Sequence, residues 1–411
     1  MNIFVLNCGS SSLKFQIIET DLEMIENDTE KMLAKGLIER VGSQSLITFQ
    51  VEGKRPFKSA EPLRDHRAAL NYAIKWITNP ETEIPGLKDL SDIHAIGHRC
   101  VHGAERFKRC VKIDKDVIAG IEDCIPLAPL HNPANLKGIY AAKDIFGPSI
   151  PQVAVFDTSF HSTMPESAYM YAVPYQLYRR FKVRKYGFHG TSHRYVAYRY
   201  RKITGKTREE TEIITLHLGN GCSACAIHDG KSIDTSMGFT PVDGLIMGTR
   251  TGEVDPGVLV YIADKEHLNV TGVSNMINKK SGVFGISQIS SDMRDLQTAA
   301  EAGNKKAILA INMYAYKVKK FIGSYMAAMN GADVLVFTGG IGENHYKMRK
   351  QICSEMEDLG ILFDDEINNG SSGIDIIISK PDSKVTVMAV TTDEELVIAS
   401  DTRTIVEQQT L

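Results

Sequence analysis

The chain opens on a strand–turn–strand unit, and no other segment restricts its fold so strongly. Ile3–Leu6 is a short apolar run. Asn7, Ser10, Ser11 and Ser12 follow in a glycine-containing turn, and Lys14 stands just beyond it. Leu13–Ile18 (LKFQII) reads as a second strand. Such a turn directs backbone N–H groups and hydroxyls at one point, and a lysine adds positive charge there, which suits a phosphate group. No GxxxxGK[ST] is present, so the turn is not a Walker loop. A Walker loop also leads from strand into helix, whereas this one leads into another strand. An ordinary serine-rich hairpin has the same composition, so the rest of the chain must decide between the two.

At 411 residues the chain exceeds one typical core, and two domains are expected. Its 43% hydrophobic and 24% charged residues are those of a globular protein. A net charge of −3 gives no drive toward nucleic acid or a membrane surface. No apolar run approaches the roughly 18 residues a membrane span needs. The N-terminus enters a strand at once, with no basic segment or cleavage site, so no signal peptide is expected. Seven scattered cysteines fit reduced thiols and a cytoplasmic location. Cys222 and Cys225 have C-x-x-C spacing but no second pair, and in a strand they face opposite sides. His98 and His102 lie in GHRCVHG, a strand and turn rather than the helix a zinc-binding pair requires.

Strands are expected at Leu46–Val51, Ile93–Ile96, Gln152–Phe156, Glu212–Leu218, Ala224–His228, Lys231–Asp234, Val334–Phe337 and Val385–Val390. Asp229-Gly230 forms a two-residue hairpin turn. Helices are expected over Leu63–Thr78, from an Asn132 cap and Pro133 to about Ile145, over Lys305–Met329 with Ile308, Ile311, Tyr314 and Val318 on its apolar side, and over Glu394–Glu407. Both halves run from a glycine turn after a strand to a hairpin and then helices. That order suggests a duplicated α/β unit with a ligand cleft at the strand ends.

Four further stretches share the character of the first turn. His217–Gly221 (HLGNG) follows a strand and could cradle a second phosphate. Gly340–Asn344 (GIGEN) follows VLVFTG, where glycines let the backbone approach a nucleoside. Arg250 in Met247–Gly252 and Arg99 in GHRCVHG each lie near glycines. A guanidinium fork there matches a carboxylate or phosphoryl oxygen. Asp157 ends an apolar strand, where an acid is costly to bury without a function. His131, His161 and His193 read equally as structural groups.

These motifs, in order, resemble the acetate kinase family (acetate and propionate kinases) across nearly the whole chain. The blocks are NCGSSSLK at Asn7–Lys14, GHRCVHG at Gly97–Gly103, APLHNPANL at Ala128–Leu136, FDTSFH at Phe156–His161 and KYGFHGTSH at Lys185–His193. They continue with HLGNGCS at His217–Ser223, GFTPVDGLIMGTRTG at Gly238–Gly252, FTGGIGEN at Phe337–Asn344 and DEEL at Asp393–Leu396. Departures are modest: Cys8, Cys100, Met293, Val242-Asp243 and Asp393 stand where the family more often has other residues. Cys100 is expected to lend sensitivity to thiol reagents.

The resemblance implies an α/β fold of duplicated actin-like (ribonuclease H-like) domains flanking a nucleotide cleft. It implies domain I over residues 1–163, completed by a helix 396–411, and domain II over 164–395, for nucleotide binding and dimerisation. The implied reaction is reversible in-line transfer of the ATP γ-phosphoryl group to acetate, giving acetyl phosphate and ADP, by a homodimer. Asn7 and Glu394 would hold Mg²⁺, with Mn²⁺ as the alternative metal. Ser10, Ser12 and Lys14 would contact phosphates. Arg99, Asp157, His189 and Arg250 would be catalytic. His217, Leu218, Gly219, Asn220, Gly221, Asp292, Met293, Arg294, Gly340, Ile341, Gly342, Glu343 and Asn344 would bind ATP or ADP. Arg99, Val101, Leu130, Phe188 and Pro241 would line the acid pocket. Propionate kinase is the main rival, and the bulk of Val101 favours acetate over it. A non-kinase actin-like ATPase is the alternative from another class.

Overall fold

Strand Asn2–Cys8 (β1) is buried along nearly its whole length, because its alternating side chains feed two cores. In the computed structural model, which describes residues 1–407, Phe4 and Leu6 pack with Leu70 and Ile74 of helix His66–Ile77 and with Ala141 and Ala142 of helix Asn132–Phe146. Ile3 and Val5 pack on the other face with Ile398 and Ala399 of helix Glu394–Glu407. Each fully buried branched side chain of this kind contributes about 1.5–3 kcal/mol. Residues 408–411, the end of the expected helix 396–411, lie outside the described residues.

The chain divides into two units. One comprises Met1–Phe160 and the segment from Asp393 onward; the other is His161–Thr392. The first holds β1 with Ser12–Glu19 (β2), Lys31–Glu39 (β3), Gln44–Val51 (β4), Phe57–Pro62 (β5), Ala95–Cys100 (β6), Val111–Lys112 (β7) and Gln152–Phe156 (β8). Their spatial order is β5-β4-β3-β2-β1-β6-β8-β7. The second holds Glu212–Leu218 (β9), Cys222–His228 (β10), Lys231–Thr235 (β11), Val334–Thr338 (β12), Ile376–Ile377 (β13) and Thr386–Ala389 (β14), in the order β11-β10-β9-β12-β14-β13.

The two sheets repeat one plan. β3-β2-β1 and β11-β10-β9 are antiparallel meanders. β6 and β8 then continue parallel to β1, as β12 and β14 continue parallel to β9. This repeated order is the duplicated actin-like (ribonuclease H-like) α/β fold. Local turns close the antiparallel part: Asp229 and Gly230 take φ values of 50° and 71°, as a primed two-residue hairpin requires. Parallel neighbours need helical crossovers, and helix Asn132–Phe146 lies between β6 and β8 in the chain.

Gly97 on β6 lets the closing helix lie flush on its sheet. A Cβ there would meet Thr402 Oγ1 at 2.4 Å and Ile398 Cγ2 at 2.7 Å. Asn132 is not the helix cap: His131 holds that position, and Asn132 turns inward to donate to the carbonyls of His102 (3.0 Å) and Ile121 (3.3 Å). Lys305–Met329 is a helix as expected, capped by Asn304, whose side chain accepts from the Lys306 and Ala307 N–H groups. Its buried stripe runs through Ile311, Tyr314, Val318, Ile322 and Tyr325, while Ile308 faces outward. Among the described residues no helix is long and apolar enough to cross a membrane.

Candidate active site

In the first unit the candidate side chains gather where three adjacent parallel strands end. Asn7 is near the end of β1, Arg99 near the end of β6, and Asp157 just past β8. Carboxyl ends of parallel strands are where ligands bind in such sheets. Lys14 lies directly opposite Asn7 across the β1–β2 hairpin. The closing helix adds Glu394 and Glu395 in its first turn. Asn135 ties the two loops together: its amide donates to the Cys8 carbonyl (3.1 Å) and its oxygen accepts from the Val101 N–H (3.0 Å). His66 Nε2 lies 2.7 Å from the Gly9 carbonyl and braces the serine turn. Ser10 is exposed and Ser12 half-buried on that turn.

Arg99 grips Asp157 with both arms of its fork, Nε to Oδ1 at 3.0 Å and Nη2 to Oδ2 at 2.6 Å. Glu394 Oε2 stands 3.7 Å from the same Nε. Lys14 Nζ is 2.5 Å from Glu395 Oε1. The Asp157 carboxylate is 2% exposed. Burial pushes its pKa above the usual carboxylate range, and Glu394 pushes the same way, while Arg99 opposes both. Burial works against the charge on Arg99, but Asp157 and Glu394 outweigh it and hold the guanidinium above its ordinary pKa. Asp157, Glu394 and Glu395 thus outnumber the cations Arg99 and Lys14 around this point. Among the described residues no cluster of three or more His, Cys, Asp or Glu is placed to hold a metal by protein ligands alone.

Burial argues against the thiol sensitivity expected of Cys100. Its side chain has no exposed surface, and burial pushes its thiol far above the ordinary value. Cys8 is buried as well and is pushed up to about 12. The reactive species is the thiolate, and burial disfavours it at both residues.

In the second unit His189, Arg250 and the Gly219–Gly221 loop come together. His189 takes a left-handed backbone (φ 57°) at the start of helix Gly190–Thr204. A Cβ on Gly221 would lie 3.5 Å from His189 Cε1 and Nε2 and 3.6 Å from Arg250 Nη1, so the missing side chain leaves room between these donors. Arg250 is half-buried, and among the described residues it has no carboxylate partner. Its Nη1 reaches only the Pro241 carbonyl, at 3.3 Å, and the Met247 sulfur. Burial therefore lowers its pKa. The His217 ring lies 4.2 Å from that of His189, and its Nδ1 is 2.8 Å from Ser192 Oγ.

A cavity of about 510 Å³ lies within the same unit, lined by Gly219, Asn220, Asp292, Met293, Arg294, Gly340, Ile341 and Asn344, with Ser291 and His345. That volume suits a nucleotide. Arg294 chelates Asp292, and this bond holds the Asp292 carboxyl down at about 2. Leu218 and Gly342 are buried beneath the loops and Gly221 lies beside His189. The Glu343 carboxylate accepts from the N–H groups of Gly339 and Thr392, both at 3.0 Å. The turn that opens the cavity is also held from behind by Arg349, which is fully buried. Its five donor bonds go to the carbonyls of Gly342, Glu343 and Ser371, to Asn368 Oδ1 and to Ser371 Oγ, at 2.7–2.9 Å. Nothing in the sequence singled out Arg349 or Asn135.

Of the proposed pocket residues, Val101 and Leu130 belong to the first unit and Phe188 and Pro241 to the second. Leu130 is 61% exposed, whereas Phe188 is buried. His161 and His193 are both buried. His161 is bonded to Ser232 Oγ and the Phe188 carbonyl, and burial pushes it down to about 4.

Residues 2–400 match the model of the Acetokinase family. The chain is 53% identical over 409 residues to a protein named acetate kinase from Chloroherpeton thalassium, covering 98% of each chain. It is 52% identical over 409 residues to an acetate kinase from Thermoanaerobacterium thermosaccharolyticum, covering 99% of each. The crystal structure of Porphyromonas gingivalis acetate kinase superposes with a TM-score of 0.93 at 48% identity, covering 98% of this chain and 99% of that one. That of a Francisella tularensis propionate kinase superposes with a TM-score of 0.89 at 42% identity, with the same coverage. Identity at this level, sustained from one end of the sequence to the other, places the chain in the acetokinase family.

Proposed function

We propose that the chain is an acetate kinase that moves the γ-phosphoryl group of ATP reversibly onto acetate, giving acetyl phosphate and ADP. The observation that carries this reading is Arg250: a half-buried guanidinium with no carboxylate partner among the described residues, beside His189 and a glycine loop. A cation left uncompensated in a protein interior is prepared for an incoming anion. Acetate is already ionised at neutral pH, so the acceptor needs no general base. The difficulty is bringing one anion onto another and stabilising the charge on the in-line phosphoryl group. Arg99 would take the acid's carboxylate, and Arg250 and His189 the phosphoryl oxygens. Ser10, Ser12 and Lys14 would contact phosphates. The cavity bounded by Asp292–Arg294 and Gly340–Asn344 would hold the nucleoside, with His217–Gly221 on its phosphates.

Magnesium fits the first unit's donor set. Mg²⁺ keeps several waters and uses one or two protein oxygens. Asn7 and Glu394 would supply those oxygens, and the surplus of carboxylates around Arg99 favours a cation there. The metal would neutralise phosphate charge, and Asp157 would act through its water shell while orienting Arg99. We also propose a homodimer. Helices Pro256–Lys265 and Val270–Lys279 contain no buried residue yet expose Val260, Tyr261 and Val270. Apolar side chains so exposed suit a second copy of the chain. Seven free cysteines support a reducing, cytoplasmic setting.

The test is hydroxamate formation from acetate, propionate and butyrate with MgATP, hydroxylamine trapping the acyl phosphate. Signal falling along that series supports the reading. A larger signal with propionate makes the chain a propionate kinase. ATP hydrolysis without hydroxamate from any acid refutes kinase activity on carboxylates.

A further inference from the structure

Behind His189 runs a chain of side chains to which the reading above gives no role. Thr215 on β9 has its Oγ1 2.7 Å from His193 Nδ1. His193 Nε2 lies 2.7 Å from Ser223 Oγ on β10, and the same oxygen is 2.9 Å from His189 Nδ1. Thr215, His193 and Ser223 have no exposed surface. His193 stands one helical turn after His189, so both rings reach the single serine.

A continuous donor relay along this chain can run in two directions. A serine hydroxyl has one proton and two acceptor lone pairs, so in a relay it donates to one ring nitrogen and accepts from the other. Were it to accept from both, a neutral His189 would lack a proton on Nε2, as in the second direction. His193 is buried beside the rings of His161 (5.7 Å) and His217 (6.4 Å), and burial keeps it neutral, with one N–H. In the first arrangement Thr215 donates to His193 Nδ1, His193 Nε2–H donates to Ser223, and Ser223 donates to His189 Nδ1. A neutral His189 then carries its proton on Nε2. In the second every bond reverses, and a neutral His189 shows a bare lone pair at Nε2. That Nε2 edge borders the space beside Gly221 on which Arg250 Nη1 also converges. An anionic oxygen placed there needs a donor, and only the first arrangement supplies one from a neutral ring.

We infer that Ser223 and His193 are positioning residues for His189: their hydrogen bonds hold its Nδ1 as an acceptor and aim Nε2–H at the phosphoryl group. The inference rests on the reading of His189 as a phosphoryl-facing group. It also explains why a helix beginning HGTSH places two histidines four apart, one beside the reacting group and one sealed in the core.

Nitrogen NMR of the full chain with ring-labelled histidine tests it at neutral pH, with Ser223→Ala and Ser223→Thr compared by kinetics. The expected spectrum shows bare Nδ1 and protonated Nε2 on both His189 and His193. Ser223→Ala is expected to lower kcat by about tenfold to a hundredfold, the scale of a misaligned catalytic group, with KM for ATP and acetate changed by less than about threefold. Ser223→Thr keeps the hydroxyl and is expected to recover most of the rate. A protonated Nδ1 on His189 in the wild type overturns the inference, as does an unchanged kcat in Ser223→Ala. Equal impairment of both variants, matched by equal losses in Tm, makes Ser223 merely structural. Should Ser223→Ala fail to fold, the wild-type spectrum and the threonine variant still decide. Absence of acyl phosphate formation by the wild type would instead refute the functional reading, while the spectrum decides the proton assignment on its own.

Discussion

Replacing Arg250 by alanine separates function from stability in a way that replacing Arg99 cannot. Among the described residues the Arg250 guanidinium makes one hydrogen bond to oxygen, a long one to the Pro241 carbonyl, besides a weak contact with the Met247 sulfur, and it pairs with no carboxylate. Burial without a counter-charge lowers its pKa, so in the free protein the charge is a cost rather than a support. Its removal should change folding stability by no more than about 1 kcal/mol, the worth of one ordinary hydrogen bond. In a domain of about 200 residues that corresponds to a Tm shift within about 4 °C. The same guanidinium would meet charge that grows on the phosphoryl oxygens during transfer. Loss of one such preorganised donor typically costs about 10²–10³ in kcat, or about 2.7–4 kcal/mol. The expected variant is therefore folded and nearly inactive. Lysine should not restore it, since a point charge lacks the planar fork. Hydroxamate formation under saturating acetate and MgATP measures the rate, and calorimetry the fold. Near-normal turnover refutes the assignment, and a loss of activity matched by a large loss of Tm refutes the separation.

Arg99→Ala should behave oppositely, since it strands the Asp157 carboxylate in a site 2% exposed; a destabilisation of about 3–5 kcal/mol is expected by denaturant titration. Arg99→Ala with Asp157→Asn should recover much of that stability without recovering activity. Arg349→Met removes the five donor bonds behind the Gly340–Asn344 turn. It is expected to lower Tm and raise KM for ATP more than KM for acetate; an equal rise in both would show that Arg349 does not serve the nucleotide turn. Burial pushes His98, His102 and His161 down to about 4, and His193 lower still. Their stabilising contribution is complete above the ordinary histidine pKa of about 6.5 and is lost as pH falls toward 4, because the unfolded chain takes up protons first. Each group contributes a slope of about 1.4 kcal/mol per pH unit within that window. The urea midpoint should fall steeply from pH 7 to pH 5, and a flat profile would contradict the neutral buried rings.

What the sequence made legible follows from how local each signal is. The Asp229-Gly230 hairpin and the Lys305–Met329 helix are written in neighbouring residues, and both stand where expected. Strand β3 and the edge strand β5 are not legible in the sequence, since exposed charged residues dilute their pattern. Asn132 looked like a cap by its position before Pro133, but two carbonyls distant in sequence offered its amide better bonds. The site shows the same division. Arg99, Asp157 and Arg250 are legible because each stands in a strand end or glycine turn that has no packing reason to carry it, whereas His189 is reached only through the resemblance to the acetate kinase family. Asn135, Ser223 and Arg349 are not legible, because a buried polar residue on a helix or strand looks ordinary until its partners are known. Each of these residues works through long-range contacts: Asn135 reaches Cys8, 127 positions away in the chain. Their common feature is that burial obliges every donor to find an acceptor, so each fixes the geometry of a loop that the sequence had already marked. The groups proposed to meet substrate can thus be read from motifs, whereas the groups that hold them in place become visible only when hydrogen bonds are counted in three dimensions.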